Sequence, residues 1–193
     1  MIKRIKSRID STTTINEKQK LKNIPRGETF EYCGHKWIVL EHDKNNHTLV
    51  LSKGIIGKMP FDDNNSNNWA KSSLREYLNN EFLTQICASS RLSDLGFLSI
   101  TTDLTADDGL DDYGKSIDMV SLLTCDLYRK HREVIELIDE WWWLATPYST
   151  LADHSCYVRY VYMDGVLVSP GSPSGNRGVG VRPICCLSSN LAI

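Results

Sequence analysis

Long apolar runs are missing from this sequence. No stretch approaches the roughly 18–20 apolar residues that a membrane-spanning helix needs, so no such span is expected. An excess of either charge is missing too: 22 Lys and Arg face 24 Asp and Glu, a formal net charge of −2. A specific nucleic-acid partner is therefore not expected. The six cysteines (Cys33, Cys87, Cys125, Cys156, Cys185, Cys186) contain no Cys-x-x-Cys pair and no regular framework. That argues against a disulfide scaffold and for reduced thiols. Segment Met1–Asn23 is polar and basic and lacks the apolar stretch of a signal peptide. The expected location is accordingly cytoplasmic or virion-associated. A phosphate loop is also absent, because the glycine-containing stretch Gly171–Gly178 includes a proline and ends without Lys-Ser/Thr.

What is present fits one domain of 193 residues, long enough to bury a core without staples. The reading divides it into a basic, frayed or partly helical lead-in at 1–23 and a globular domain at 24–193. Pro25-Arg26-Gly27 supplies turn chemistry at the boundary. Thr29–Tyr32, Lys36–Leu40 and Thr48–Leu51 then read as an antiparallel meander, with turns at Cys33-Gly34-His35 and Asp43–His47. Ser72 or Ser73 should cap a helix in which Leu74, Leu78 and Phe82 recur at every fourth position. After an acidic loop from Asp103 to Asp112 comes a short strand at Asp118–Leu123. Thr124 should cap a second helix, running through Val134.

The densest stretch follows: Trp141-Trp142-Trp143, a strand from Cys156 to Tyr162, an Asp164-Gly165 turn, and Gly180-Val181-Arg182-Pro183. On a strand, Trp141 and Trp143 take one face and Trp142 the other. One face is core; the other is a second packing layer or a ligand surface. The pattern as a whole predicts an α+β fold with short antiparallel sheets, two helices and long loops, in which the two ends of the domain meet in one sheet.

Several short motifs arrive in an order that resembles a bacterial and phage family of domains of unknown function. They are Ile24–Phe30 with Trp37–Leu40, Asn67-Asn68-Trp69 to Asn79, Leu122-Leu123-Thr124, Trp142–Pro147 and Gly180–Pro183, together covering about residues 24–188. The resemblance implies a single C-type-lectin-like domain, in the group that includes formylglycine-generating sulfatase-modifying enzymes and the variable proteins of diversity-generating retroelements. It carries a fold more firmly than a function. The sugar-and-calcium motifs Glu-Pro-Asn and Trp-Asn-Asp of animal lectins are absent, and the catalytic cysteine pair of the formylglycine-generating enzymes has no counterpart.

In the retroelement proteins the region before the last strand presents the ligand surface. By that resemblance, Trp143, Tyr148, His154, Tyr160, Tyr162, Asp164, Asn176 and Arg177 are the expected ligand-binding residues, a patch of aromatic and hydrogen-bonding groups. Alternation along the strand sets a limit. Val158, Tyr160 and Tyr162 share one face, and Tyr157, Arg159 and Val161 the other, so at most one set meets a ligand. Asp103, Asp107, Asp108, Asp111 and Asp112 are weak calcium candidates, offering hard oxygen ligands without the EF-hand spacing. No cofactor is otherwise expected. Cys125, at a helix start, reads as a buried small residue before it reads as a nucleophile. Arg182 reads as structural, its guanidinium held by fixed acceptors. The expected function is a non-enzymatic binding module for a glycan or a protein surface. A structural or assembly protein of a virion or oligomer, and a modifying enzyme related to the formylglycine-generating group, stand as alternatives.

Overall fold

Period-two alternation governs this fold, because most of its strands are buried on both faces. The computed structural model describes residues 19–88, 91, 94–168 and 172–193. Most of the expected basic lead-in therefore lies outside the described residues. Its described end packs against the C-terminal tail: Leu21 is buried and its amide donates to the Leu191 carbonyl at 2.9 Å.

In chain order the elements begin with the meander β1 (Thr29–Tyr32), β2 (His35–His42) and β3 (His47–Ser52), followed by the short β4 (Gly57–Lys58). A helical rod comes next, made of α1 (Ser73–Tyr77), a π turn at Leu78–Phe82 and α2 (Leu83–Cys87). Then come β5 (Phe97–Leu98), β6 (Ile100–Asp103), β7 (Lys115–Asp118), β8 (Val120–Leu122) and α3 (Cys125–His131). The last part holds β9 (Trp142–Pro147), β10 (Tyr157–Val161), β11 (Ser172–Pro173), β12 (Gly180–Val181) and β13 (Pro183–Ser188).

The strands form a six-stranded sheet in the order β1-β2-β3-β13-β5, with β8 also on β13, and a five-stranded sheet in the order β11-β10-β9-β12-β4. A β6-β7 ribbon stands apart. The meander is where the sequence places it, and β13 pairs with β3 from Ile184↔Leu51 to Ser188↔His47, so the two ends of the domain do meet in one sheet. These elements make an α+β protein with one rod and one short helix.

The helix signals resolve cleanly. The Ser72 hydroxyl accepts from the Arg75 amide and the Thr124 hydroxyl from the Leu127 amide, each satisfying an orphan donor of a first turn. The second helix ends at His131, short of Val134. In the rod, Leu74, Leu78 and Phe82 are buried as the stripe predicts. Asn79 lies off that stripe yet is held within the fold. At the π turn its side chain accepts from the Met119 and Val120 amides and donates to the Val120 carbonyl, clamping the β7–β8 corner.

Two apolar clusters lie on opposite faces of the sheets. Trp37 and Val39 of β2, Val50 of β3, Trp143 and Ala145 of β9, and Cys185 and Leu187 of β13 join the rod. Their immediate neighbours Ile38, Leu40, Leu51, Trp142, Leu144, Ile184 and Cys186 join α3 through Tyr128 and Cys125. The second face of the Trp-rich strand is thus a packing layer. Trp142 stacks edge-on against Tyr128, Trp143 against Phe61 and Tyr160, and Trp141 is half-buried. Between the sheets, Arg182 is fully buried. It donates to the carbonyls of Ser52 (2.8 Å), Lys53 (2.9 Å) and Glu136 (3.4 Å) and lies over the Trp142 ring.

Truncating Trp142→Ala removes a ring packed on Arg182 and Tyr128 and should cost ~3–5 kcal/mol, read from denaturant midpoints. A second expectation concerns His131, which is buried at the end of α3 with neither ring nitrogen hydrogen-bonded among the described residues. Burial lowers its pKa; Glu41, 3.3 Å away, opposes that shift, and Lys130 and Arg26 add to it. The unfolded chain therefore takes up a proton near its ordinary value of 6.5 while the folded chain resists. Stability should be full above that pH and fall as pH drops below it. Denaturant midpoints at successive pH values should show that fall, and His131→Leu should flatten it.

Candidate functional site

The eight residues expected to bind a ligand do not form one surface. Trp143 is fully buried, its indole donating to the Met59 carbonyl at 3.0 Å, and Tyr160 is 8% exposed between Trp141 and Trp143. Both belong to the core, because β10 is packed on both faces where the alternation argument leaves one face open. Tyr162 is 39% exposed and leans on Trp141 beyond the end of β10. Asp164 is exposed, caps the Val166 amide and makes the turn with Gly165. Exposed Met163, Val166 and Leu137 flank this tip, the last within reach of Gly165. Tyr148 and His154 meet edge-on elsewhere, beside Tyr157. Asn67 fastens that loop by donating to the Ser149 and Tyr157 carbonyls and accepting from the Tyr113 hydroxyl. Asn176 and Arg177 follow β11, which pairs with β10 at Tyr157↔Pro173, and Arg177 pairs with Asp63 at 3.2 Å.

The acidic loop encloses space. A cleft of about 590 Å³ opens between it, β6, the start of α3, and Thr146 of β9. Thr101, Thr102, Thr105, Thr124 and Thr146 line it with hydroxyl groups, and Asp103, Asp107, Asp126, Arg129 and Cys125 supply its other polar atoms. The loop is pinned by the Asp107 amide on the Pro147 carbonyl and by the Ala106 amide on the Leu110 carbonyl.

The carboxylates of Asp103, Asp107, Asp108 and Asp112 are separately engaged. Asp103 accepts from the Thr105 hydroxyl and amide, with Lys115 nearby, which holds its pKa below the usual range. Asp108 caps the Leu110 amide, and Asp112 accepts from the Thr150 hydroxyl. Gly114 donates to the backbone of Asp111. Asp107 pairs with Arg129 through one oxygen (3.2 Å) and with Arg159 through the other (3.4 Å). Among the described residues no group of three or more His, Cys, Asp or Glu could hold a metal ion.

Arg159 is the unusual member. Its side chain is 6% exposed, yet its Nε finds no hydrogen-bond acceptor among the described residues. The strand geometry explains the position. Register between β10 and β9 runs from Val158↔Pro147 to Tyr160↔Trp143, so β9 carries extra residues opposite Arg159. There Ala145 turns its amide to the Leu123 carbonyl, and the Thr146 hydroxyl accepts from the Cys125 amide. This irregularity leaves the guanidinium beside Asp107, behind the cleft wall. Sequence reasoning placed Arg159 on a strand but not at a cleft. Its signal was a charge flanked by Val158 and Tyr160, in a run where few charges are tolerated unpaired. The lining threonines carried no signal, being common in strands and caps alike.

The fold and cleft define an α+β domain built around two sheets, and among the described residues no helix is long and apolar enough to cross a membrane. A family model described as a domain of unknown function (DUF6273) matches residues 87–189, more than half of the chain, and the chain belongs to that family. The match takes in the acidic loop, α3, β9, β10 and β13. No curated protein and no solved structure matches the chain.

The separation of the eight residues is measurable as stability. Tyr160→Ala should cost about 3 kcal/mol or more, as a buried ring does. Tyr162→Ala and Arg177→Ala should each stay within about 0.5 kcal/mol, since an exposed ring and an exposed ion pair contribute little. Denaturant titration of the three variants gives the comparison.

Proposed function

We propose that this chain is a non-enzymatic binding module that takes a hydroxyl-rich ligand, a glycan, in the cleft between the acidic loop and α3. The observation that carries the reading is the lining itself. Thr101 and Thr105 place hydroxyls on an open wall with Asp103 and Arg129, and such groups both donate to and accept from sugar hydroxyls. The chemistry at Cys125 favours binding over catalysis. Burial raises the pKa of that thiol, so it stays protonated at neutral pH, and among the described residues no histidine lines the cleft to act as a base. The resemblance to C-type-lectin-like domains, and with it a bacterial or phage setting, supports the same class of function by analogy.

A second reading has its own observation. Tyr162, Met163, Val166 and Leu137 leave an apolar tip exposed around the Gly165 turn, a surface that suits contact with a protein. One experiment separates the two. Purified protein is screened against glycans and candidate partner proteins, with and without calcium, alongside Thr105→Ala and Val166→Ser. Under the cleft reading a glycan is retained, calcium has no effect, and Thr105→Ala weakens binding by about threefold to tenfold, the loss of one or two hydrogen bonds. Val166→Ser should leave that binding unchanged. A protein hit lost only in Val166→Ser would move the site to the tip.

A further inference from the structure

A cysteine occupies a costly place in the tight turn between β1 and β2. Cys33 and Gly34 both take positive φ, 51° and 75°, in a two-residue hairpin connection of the kind that asparagine and glycine favour. For a side chain with a Cβ that conformation is strained, and it persists only where the surrounding structure holds it. The other non-glycine residues with positive φ among the described residues are Asn46, Asn65 and Ala88. Asparagine suits the left-handed region. Ala88 does not, and it directly follows Cys87 at the end of α2.

Contacts on both flanks fix the turn. The Tyr32 hydroxyl donates to the Leu95 carbonyl at 2.9 Å, and its ring lies beside Phe97. The His35 ring meets Phe82 edge-on at 5.3 Å, in the π turn that leads into α2. Between these anchors, half-buried Cys33 packs against the apolar cluster that contains buried Cys87 and fully buried Cys185. The three are near enough for charge on one to act on another: Cys87 on Cys33, and both on Cys185. The β1–β2 turn, the end of α2 and β13 thus bring three thiols together.

The members of this group differ in what they can do. They do not make a metal site, since among the described residues no three such side chains could hold an ion. Burial raises the pKa of both Cys33 and Cys87, so neither is an acidic thiol that reacts unaided. Their distinction is the pairing. A partly exposed thiol with a second thiol behind it is the arrangement in which an oxidised sulfur is resolved by its neighbour. Cys185 is sealed from solvent, and Cys156, the other half-buried thiol, is not part of the cluster.

We propose that Cys33 and Cys87 are a disulfide-forming pair, reduced at rest and joined when the protein meets a disulfide or peroxide oxidant. With glutathione disulfide, the deprotonated Cys33 sulfur attacks one sulfur of the oxidant, its S–S bond breaks, and one glutathione leaves as the thiol. Cys87 then gives up its proton to solvent, attacks the Cys33 sulfur and expels the second glutathione. Two cysteine thiols are oxidised, and one glutathione disulfide is reduced to two glutathiones. The bond ties the meander to the end of the rod and closes the chain between them, which restricts the unfolded state. None of these residues is on the cleft lining described above, so the pair stands independently of the glycan reading.

The test uses the full chain, first reduced and then exposed to glutathione disulfide, with hydrogen peroxide as a second oxidant. Two of the six thiols should be lost to a thiol reagent, and peptide mapping by mass spectrometry should join Cys33 to Cys87 within one chain. In Cys87→Ser a glutathione should remain on Cys33 in place of the cross-link. In Cys33→Ser the oxidised fraction at Cys87 should fall at least about tenfold. Cys156→Ser should leave the cross-linked fraction within about twofold of the parent. If circular dichroism shows Cys87→Ser to be unfolded, Cys33→Ser, at the half-buried turn, carries the comparison. The bonded protein should also unfold at a higher denaturant concentration than the reduced one. A bond from Cys33 to Cys185, a dimer linked through Cys33, or every thiol still reactive under excess oxidant overturns the pair. So does a bridge that lowers the denaturant midpoint, because it would form only outside the native geometry.

Discussion

The carbonyl cage around Arg182 is the constraint on which the rest of the structure depends. Here the chain passes from β12 in one sheet to β13 in the other, and the guanidinium gathers carbonyls from the end of β3 and from the segment after α3. Burial lowers its pKa to about 10, still well above neutral, so the charge persists and must stay solvated by those oxygens. Loss of the cage would leave a buried charge unpaired, which costs far more than the hydrogen bonds alone. The two sheets can therefore shift against each other only by breaking this contact.

From that fixed junction the use of both strand faces follows. Alternate residues of β2, β3, β9 and β13 go to the rod and to α3, and the Trp142–Trp143 pair is split between the two layers. Strands saturated in this way have no face to spare for a ligand. Surface chemistry is left to the segments between them, above all the acidic loop and the tip around Gly165. The cleft lies against Thr146 of β9, near where that strand departs from regular pairing.

Much of the fold was legible because the signals were local and physical. The meander came from alternation and turn residues, the caps from Ser72 and Thr124, and the role of Arg182 from its place between Val181 and Pro183 in an apolar strand. The site was less legible, for a tertiary reason. An aromatic residue on a strand looks the same whether its face meets water or a second layer, so Tyr160 and Tyr162 could not be told apart, and Trp143 could not be placed. The acidic loop drew attention as a source of metal ligands. The partners its carboxylates take include Arg129, Arg159, Lys115 and Thr150, and three of those four lie beyond the loop by a distance only the folded chain closes. The register irregularity that seats Arg159 leaves no mark in the sequence.

The strand order has a consequence for synthesis. β3 finds its long partner in β13, and the residues that meet across that junction, Ser52 and Arg182, are 130 positions apart. A ribosome must therefore add well over a hundred residues after the meander emerges before its open edge is covered. Through that interval β3 presents unpaired amides and carbonyls next to an apolar face, the condition in which nascent chains pair with the wrong neighbour. Contacts so distant along the chain also slow folding, since loop closure must precede their gain. A protein arranged in this way depends on what shields its first hundred residues while the last strand is still being made.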